Sequence, residues 1–272
     1  MKKKIIFSII LSVVLISIFA FSGFASFEQG SENVAEINSI KETLTNYKLG
    51  NALGGVLNTD DGTNKSLTEE ELQSKISSYN EIIDSAYSQN HPCYSTYKEY
   101  NEYLLRDVFT EQQDSIYVDA GVVDIRIINA DINEKNETAT VKYVSTLYFR
   151  SVFKKDNLYT PHVASGRNYE EVELVKDEDS WKVEKSIELT PWDCSCYDED
   201  EVKNVVSDMR SCVNYSSTFA DRKSISDEEE SAIRDEIKNS QQINSMTFDT
   251  FAEARDAAMT VDVVNGNYYA LY

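Results

Sequence analysis

Proline and glycine are scarce, at three and nine in 272 residues, and neither an internal repeat nor a low-complexity stretch occurs. That composition excludes collagen-like and Pro/Gly-rich disordered chains. Basic residues are also in deficit: 26 lysines and arginines stand against 47 acids, for a net charge of −21. A chain this acidic is repelled by phosphates, so nucleic acid is excluded as a partner. Only two histidines, His91 and His162, are present. There is no His-Glu-x-x-His zinc helix, Gly-x-Ser-x-Gly elbow or phosphate loop, and no motif asks for a cofactor.

Long apolar runs are confined to the start of the chain. Met1-Lys2-Lys3-Lys4 precedes an uncharged, mostly apolar run from Ile5 to Phe21, and Gly23-Phe24-Ala25 puts small residues at the cleavage positions. This is the order of a signal peptide over residues 1–25. The alternative is an uncleaved anchor, because the run approaches the ~20 residues that span a bilayer. A membrane would be met only through that segment. Cleavage after Ala25 removes three lysines and deepens the net charge from −21 to −24. The expected location is secreted, or at the extracellular face of the membrane.

Residues 26–66 read as a polar N-terminal segment or linker, in which Lys48-Leu49-Gly50 and Gly54-Gly55 interrupt any long helix. Thr68 and Glu71 then have capping-box spacing, and Leu72, Ile76, Tyr79, Ile82, Ile83 and Ala86 recur on one helical face. A second helix is expected from about Tyr97 to Phe109. The period changes at Val122. Val123, Ile125 and Ile127 alternate with polar residues, and Asn133-Glu134-Lys135-Asn136 marks a turn. Ala139 to Phe153 forms a long strand, Tyr169 to Lys176 another, and Trp181 to Leu189 the last. Such short turns leave no room for crossover helices, so the pairing is antiparallel. The fold class is α+β: a curved antiparallel sheet packed against helices, with a C-terminal helical extension.

The long strand, the Val172-Glu173-Leu174-Val175 segment and the terminal Asp179-Ser180-Trp181-Lys182-Val183 together resemble the NTF2-like, or cystatin-like, domains of exported bacterial proteins. The resemblance covers about residues 68–190. It implies an NTF2-like domain over 67–192 whose Trp181 packs between the last strand and the helices, and it implies nothing about reaction chemistry. Residues 193–272 read as the helical extension. Val205, Val206, Met209, Cys212 and Val213 share one face, and Ser226/Glu229 and Thr250/Glu253 supply caps for two further helices.

Four cysteines, Cys93, Cys194, Cys196 and Cys212, remain after export, and an even number in an oxidising compartment reads as disulfides. Bridging Cys194 to Cys196 would close a very tight ring. Cys93 is therefore expected to pair with one of these two and Cys212 with the other. A metal site of Cys194 and Cys196 with Cys93, Cys212 or His91 lacks a zinc signature, and the acidic stretch Asn58–Gly62 puts Leu57 at the first EF-hand position. No metal is expected. His162, in Tyr159-Thr160-Pro161-His162, reads as a loop residue and a candidate general base, should it face Asp156, Glu170 or Tyr148. Tyr148 and Trp181 are candidates to line a ligand cavity. The expected function is an exported, noncatalytic binding or spacer module for a small ligand or a cell-surface protein. The alternatives are a small-cavity enzyme using His162 or an acidic base, or an accessory to a cell-wall hydrolase.

Overall fold

The computed structural model describes residues 31–188, 238–239 and 241–261. The chain divides after Glu36 into two compact units, and the elements below belong to the second, Ile37–Tyr272, which helix α1 (Ser31–Leu53) enters at Ile37. Helix α2 spans Glu69–Ala86 and α3 spans Tyr94–Tyr103, with a π-helical turn at Leu104–Val108. Four strands follow, β1 (Ser115–Asn133), β2 (Thr138–Lys155), β3 (Leu158–Asp177) and β4 (Ser180–Glu188), and then α4 (Phe251–Met259). The strands form one antiparallel meander in the order β1-β2-β3-β4. The molecule is thus an α+β fold, a multi-stranded antiparallel sheet packed against helices with a C-terminal helical extension. Among the described residues no helix is long and apolar enough to cross a membrane. The N-terminal apolar segment lies outside the described residues.

Helix α1 departs from the sequence expectation, which broke any helix at Lys48-Leu49-Gly50. The chain runs on to Leu53 because Gly50 is a packing notch: a Cβ there would stand 2.8 Å from Ile83 Cδ1 of α2. The stop comes at Gly55, whose φ of +78° suits a residue without a Cβ. Ile40 and Leu44 of α1 are fully buried, each contributing roughly 1.5–3 kcal/mol by removal from water. Helix α2 begins as its capping box requires. Thr68 Oγ1 accepts from the Glu71 N–H at 3.2 Å, and Glu71 Oε2 accepts from the Thr68 N–H at 2.9 Å.

The long strands bend. Three register shifts in β1, at Tyr117/Asp119, Val122/Asp124 and Ile127/Asn129, add the twist that bulges bring. One core forms where Ala139, Val141 and Tyr143 of β2 meet Val172, Leu174, Trp181, α1 and the C-terminal half of α2. Trp181 is buried in it, and its carbonyl accepts from Thr43 Oγ1 at 3.0 Å. A second core gathers Ile116, Val118 and Val152 with Leu72, Ile76, Leu105, Phe109 and, from α4, Phe251 and Ala254. Thr250 caps α4 by accepting from the Glu253 N–H at 3.3 Å. The helices expected near Val205 and Ser226 lie outside the described residues.

Strand β3 starts well before Tyr169, so His162 lies inside a strand, opposite Ser151, and not in a loop. Two features hide this from the sequence. The β2–β3 hairpin turns on Asp156 and Asn157, both at positive φ (52° and 64°), the geometry of a two-residue primed turn. Pro161 is tolerated because β4 reaches only as far as Glu170, leaving the first half of β3 at the edge of the sheet. Tyr159 exchanges backbone hydrogen bonds with Phe248 on that edge (2.8 and 2.9 Å). Asn244 does the same for Val163 through its side-chain amide (2.7 and 3.0 Å). Pro161 lies between them, where no N–H is needed.

The expected disulfides are overturned. Both pairings needed Cys93 in a bridge, and Cys93 is a free thiol. It precedes α3, and its carbonyl accepts from the Tyr97 N–H at 2.9 Å. Cys194, Cys196 and Cys212 lie outside the described residues.

Candidate functional site

A cleft of about 370 Å³ opens where α1 and α3 leave the inner face of the sheet. Helical spacing brings Tyr47, Lys48 and Asn51 of α1 to its wall, and Tyr97 comes from α3. Across from them, Leu147 and Phe149 of β2, Asn168 and Glu170 of β3, and Ser186 and Glu188 of β4 share one sheet face, as their register requires.

The chemistry concentrates at Lys48 and Glu170, both buried and paired as an ammonium and a carboxylate. The other carboxylate oxygen, Glu170 Oε2, accepts from the Tyr143 hydroxyl at 2.5 Å. Buried charges are tolerated when paired and hydrogen-bonded in this way. The two remaining N–H bonds of Lys48 have no acceptor among the described residues. Tyr47 donates to Ser186 Oγ at 2.7 Å, and Tyr87 donates to Asn51 Oδ1 at 2.7 Å. Burial, reinforced by the Glu170 charge, pushes the hydroxyls of Tyr47 and Tyr143 well above the usual phenol range. The same burial raises Tyr97 to about 12, with Cys93 and Glu170 adding to it. These phenols are hydrogen-bond donors at neutral pH, not bases. Ser145, between Tyr143 and Leu147 on the inner face and opposite Asn168, has a fully buried hydroxyl with no partner among the described residues.

His91 lies behind this wall. Its ring is edge-on to Tyr87 at 4.9 Å and to Tyr47 at 5.9 Å, and its Nδ1 accepts from the Cys93 N–H at 3.1 Å. Burial lowers its pKa, and its Nε2 has no partner among the described residues.

The residues singled out from sequence fall elsewhere. Trp181 is in the first core and does not line the cleft. Tyr148 lies on the opposite face of β2, where its ring crosses Gly121 of β1; a Cβ on that glycine would stand 2.6 Å from Tyr148 Cε1. The Arg150 guanidinium sits 5.3 Å from the Tyr148 ring centroid and pairs with Asp119 at 2.9 Å. Burial raises Tyr148 to about 12 and raises Asp119 despite the Arg150 charge. His162 shares the inner face with Glu170 but lies eight positions along β3, roughly 26 Å. Its ring is edge-on to Phe153 at 5.5 Å. His162, Tyr148 and Glu170 therefore do not converge. Lys48 was missed outright, although its phase carried a signal: it falls on the helical stripe of Ile40, Leu44 and Tyr47. Glu170 likewise is in phase with Val172 and Leu174. A charge in phase with a buried face on both a helix and a strand is the mark of such a pair.

A shallower depression of about 510 Å³ is lined by Asp60, Asp61, Glu111 and Asp249 beside Tyr159 and Phe251. Asp61 is occupied by the Thr63 N–H and hydroxyl (2.9 and 2.7 Å), and Asp60 by Arg255 at 2.7 Å. Among the described residues no group of three or more histidine, cysteine or acidic side chains is arranged to hold a metal ion.

No protein-family model matches the chain, and no curated protein does. Among solved structures, it is similar to the intermembrane space region of the chloroplast protein ARC6, at 10% identity over 40% of this chain and 76% of that one, with a TM-score of 0.30. A likeness that slight carries neither fold nor function to this chain.

Proposed function

We propose that this chain is an exported, noncatalytic binding module, NTF2-like in its resemblance, whose inner-face cleft takes a small polar ligand. The carrying observation is the Lys48–Glu170–Tyr143 network on the cleft wall, where a buried ammonium keeps two N–H bonds for an occupant. A small number of convergent polar groups fixes the orientation of what such a pocket holds. The network favours binding over proton transfer. Both Glu170 oxygens are already engaged by donors, and burial keeps the surrounding phenols protonated.

The test is a ligand-detected NMR screen of neutral, cationic and anionic small molecules against the wild-type chain and Asn168→Trp, whose indole would fill the cleft. The expected result is at least one compound that binds the wild type, is lost in the variant and is recovered chemically unchanged. Turnover of the bound compound, or binding that survives Asn168→Trp, would overturn the reading.

A further inference from the structure

Resting on that reading of the cleft, we infer that its ligand is a neutral oligosaccharide, one end held by Lys48 and its neighbours and the rest lying along an aromatic strip on the same sheet face. The geometry of the strip comes from register. Leu147, Phe149, Ser151 and Phe153 share the inner face of β2, and Tyr117 of β1 stands directly opposite Ser151. Phe149, which lines the cleft, meets the Tyr117 ring at 5.8 Å. Tyr117 is 48% exposed and Phe153 41%. The strip therefore leaves the cleft at Phe149, passes Tyr117 on the neighbouring strand and ends at Phe153, four positions and roughly 13 Å along β2.

Three features select the ligand chemistry. The first is a surplus of donors. Among the described residues, Lys48 has two N–H bonds without an acceptor, and the Ser186 hydroxyl hydrogen is left over once its oxygen has accepted from Tyr47. Such a wall recognises hydroxyl and ether oxygens. It disfavours an organic cation, which brings only more donors. The second is charge. The chain as a whole carries −21, so an anionic polymer is repelled. The third is the backbone. An extended peptide would be gripped by adding itself to the unpaired first half of β3, but Tyr159 and Val163 already exchange hydrogen bonds there with Phe248 and Asn244. What remains is a neutral, oxygen-rich chain with apolar faces. A pyranose ring offers its C–H face to an aromatic side chain and its rim of hydroxyls to polar donors.

The experiment uses the full chain in saturation-transfer NMR, with Kd from titration. The probes are a β-1,4-linked glucose hexasaccharide, its N-acetylglucosamine counterpart, spermidine and an uncharged hexapeptide, each up to about 5 mM. Tyr117→Ala and Phe153→Ala test the strip and Asn168→Trp the cleft, with circular dichroism confirming that each variant is folded. The expected result is that a hexasaccharide binds, weakens about three- to tenfold in each strip variant and is lost in Asn168→Trp. Spermidine or the peptide binding in the cleft while neither saccharide does would overturn the carbohydrate assignment and leave the cleft reading standing. Saccharide binding indifferent to Tyr117→Ala and Phe153→Ala would overturn the strip. No binding by any probe would overturn both readings.

Discussion

Replacing Lys48 by Met strands the Glu170 carboxylate in a place where it is only 7% exposed and Lys48 only 4%. Among the described residues, the Tyr143 hydroxyl would be its one remaining side-chain donor. Removing one partner of a buried pair costs about 3–5 kcal/mol, because the surviving charge is left without compensation. Glu170→Gln is gentler: the amide oxygen still accepts from Lys48 and the amide NH2 can donate to a turned Tyr143 hydroxyl, so the charge-assisted part of the bonding is lost, about 1.5–3 kcal/mol. The double variant places an uncharged Met beside an uncharged Gln, so its cost should fall below the sum of the singles by about 2 kcal/mol. Urea unfolding at pH 7 measures all three, with the buried Trp181 as fluorescent reporter. Two results would refute the reasoning. One is costs that add within about 0.5 kcal/mol, as for independent sites. The other is a Lys48→Met cost under about 1 kcal/mol, which is what a solvent-exposed pair is worth.

Burial lowers the folded-state pKa of His91, so its contribution is complete above the unfolded value of about 6.5 and is lost as pH falls below it. The wild type should lose up to about 1.4 kcal/mol per pH unit more than His91→Gln between pH 6.5 and the depressed pKa, read from urea curves at pH 7.5, 6 and 5. Gly121→Ala puts a Cβ 2.6 Å from the Tyr148 ring. Overpacking of about 1–3 kcal/mol is expected, and Tyr148→Ala should relieve it in a double-variant cycle. Thr68→Ala removes the α2 N-cap, and thermal unfolding should register a loss of about 1 kcal/mol.

Legibility from sequence tracked how local the determining contact is. Helix α2 could be read in full, because its capping box and its stripe of Leu72, Ile76, Tyr79, Ile83 and Ala86 are properties of the segment itself. Helix α1 could not, because Gly50 reads as a breaker until Ile83 is seen filling the space beside it. Pro161 likewise marks a loop only if β3 has neighbours on both sides, and the end of β4 at Glu170 removes one of them. The candidate site was obscured by abundance. In a chain with 47 acids, Glu170 stands out only when Lys48 is known to face it. The cysteine arithmetic failed for the opposite reason, since an even count carries no geometry, and Cys93 stands as a free thiol just before α3.

The contacts of Phe248 and Asn244 with β3 bear on how this protein behaves in a crowd. A row of unpaired strand backbone is a template on which a second chain can build, and through it polymerisation and strand exchange begin. The residues from Asn244 to Phe248 cover Tyr159 and Val163, and Pro161 between them has no N–H to offer. This short stretch is therefore a guard against self-association, set at the point where the meander is left open. Its detachment, by proteolysis or by substitution of Asn244, would bare the Tyr159–Val163 edge to a second chain and, through Phe248, loosen the second core while leaving the first intact.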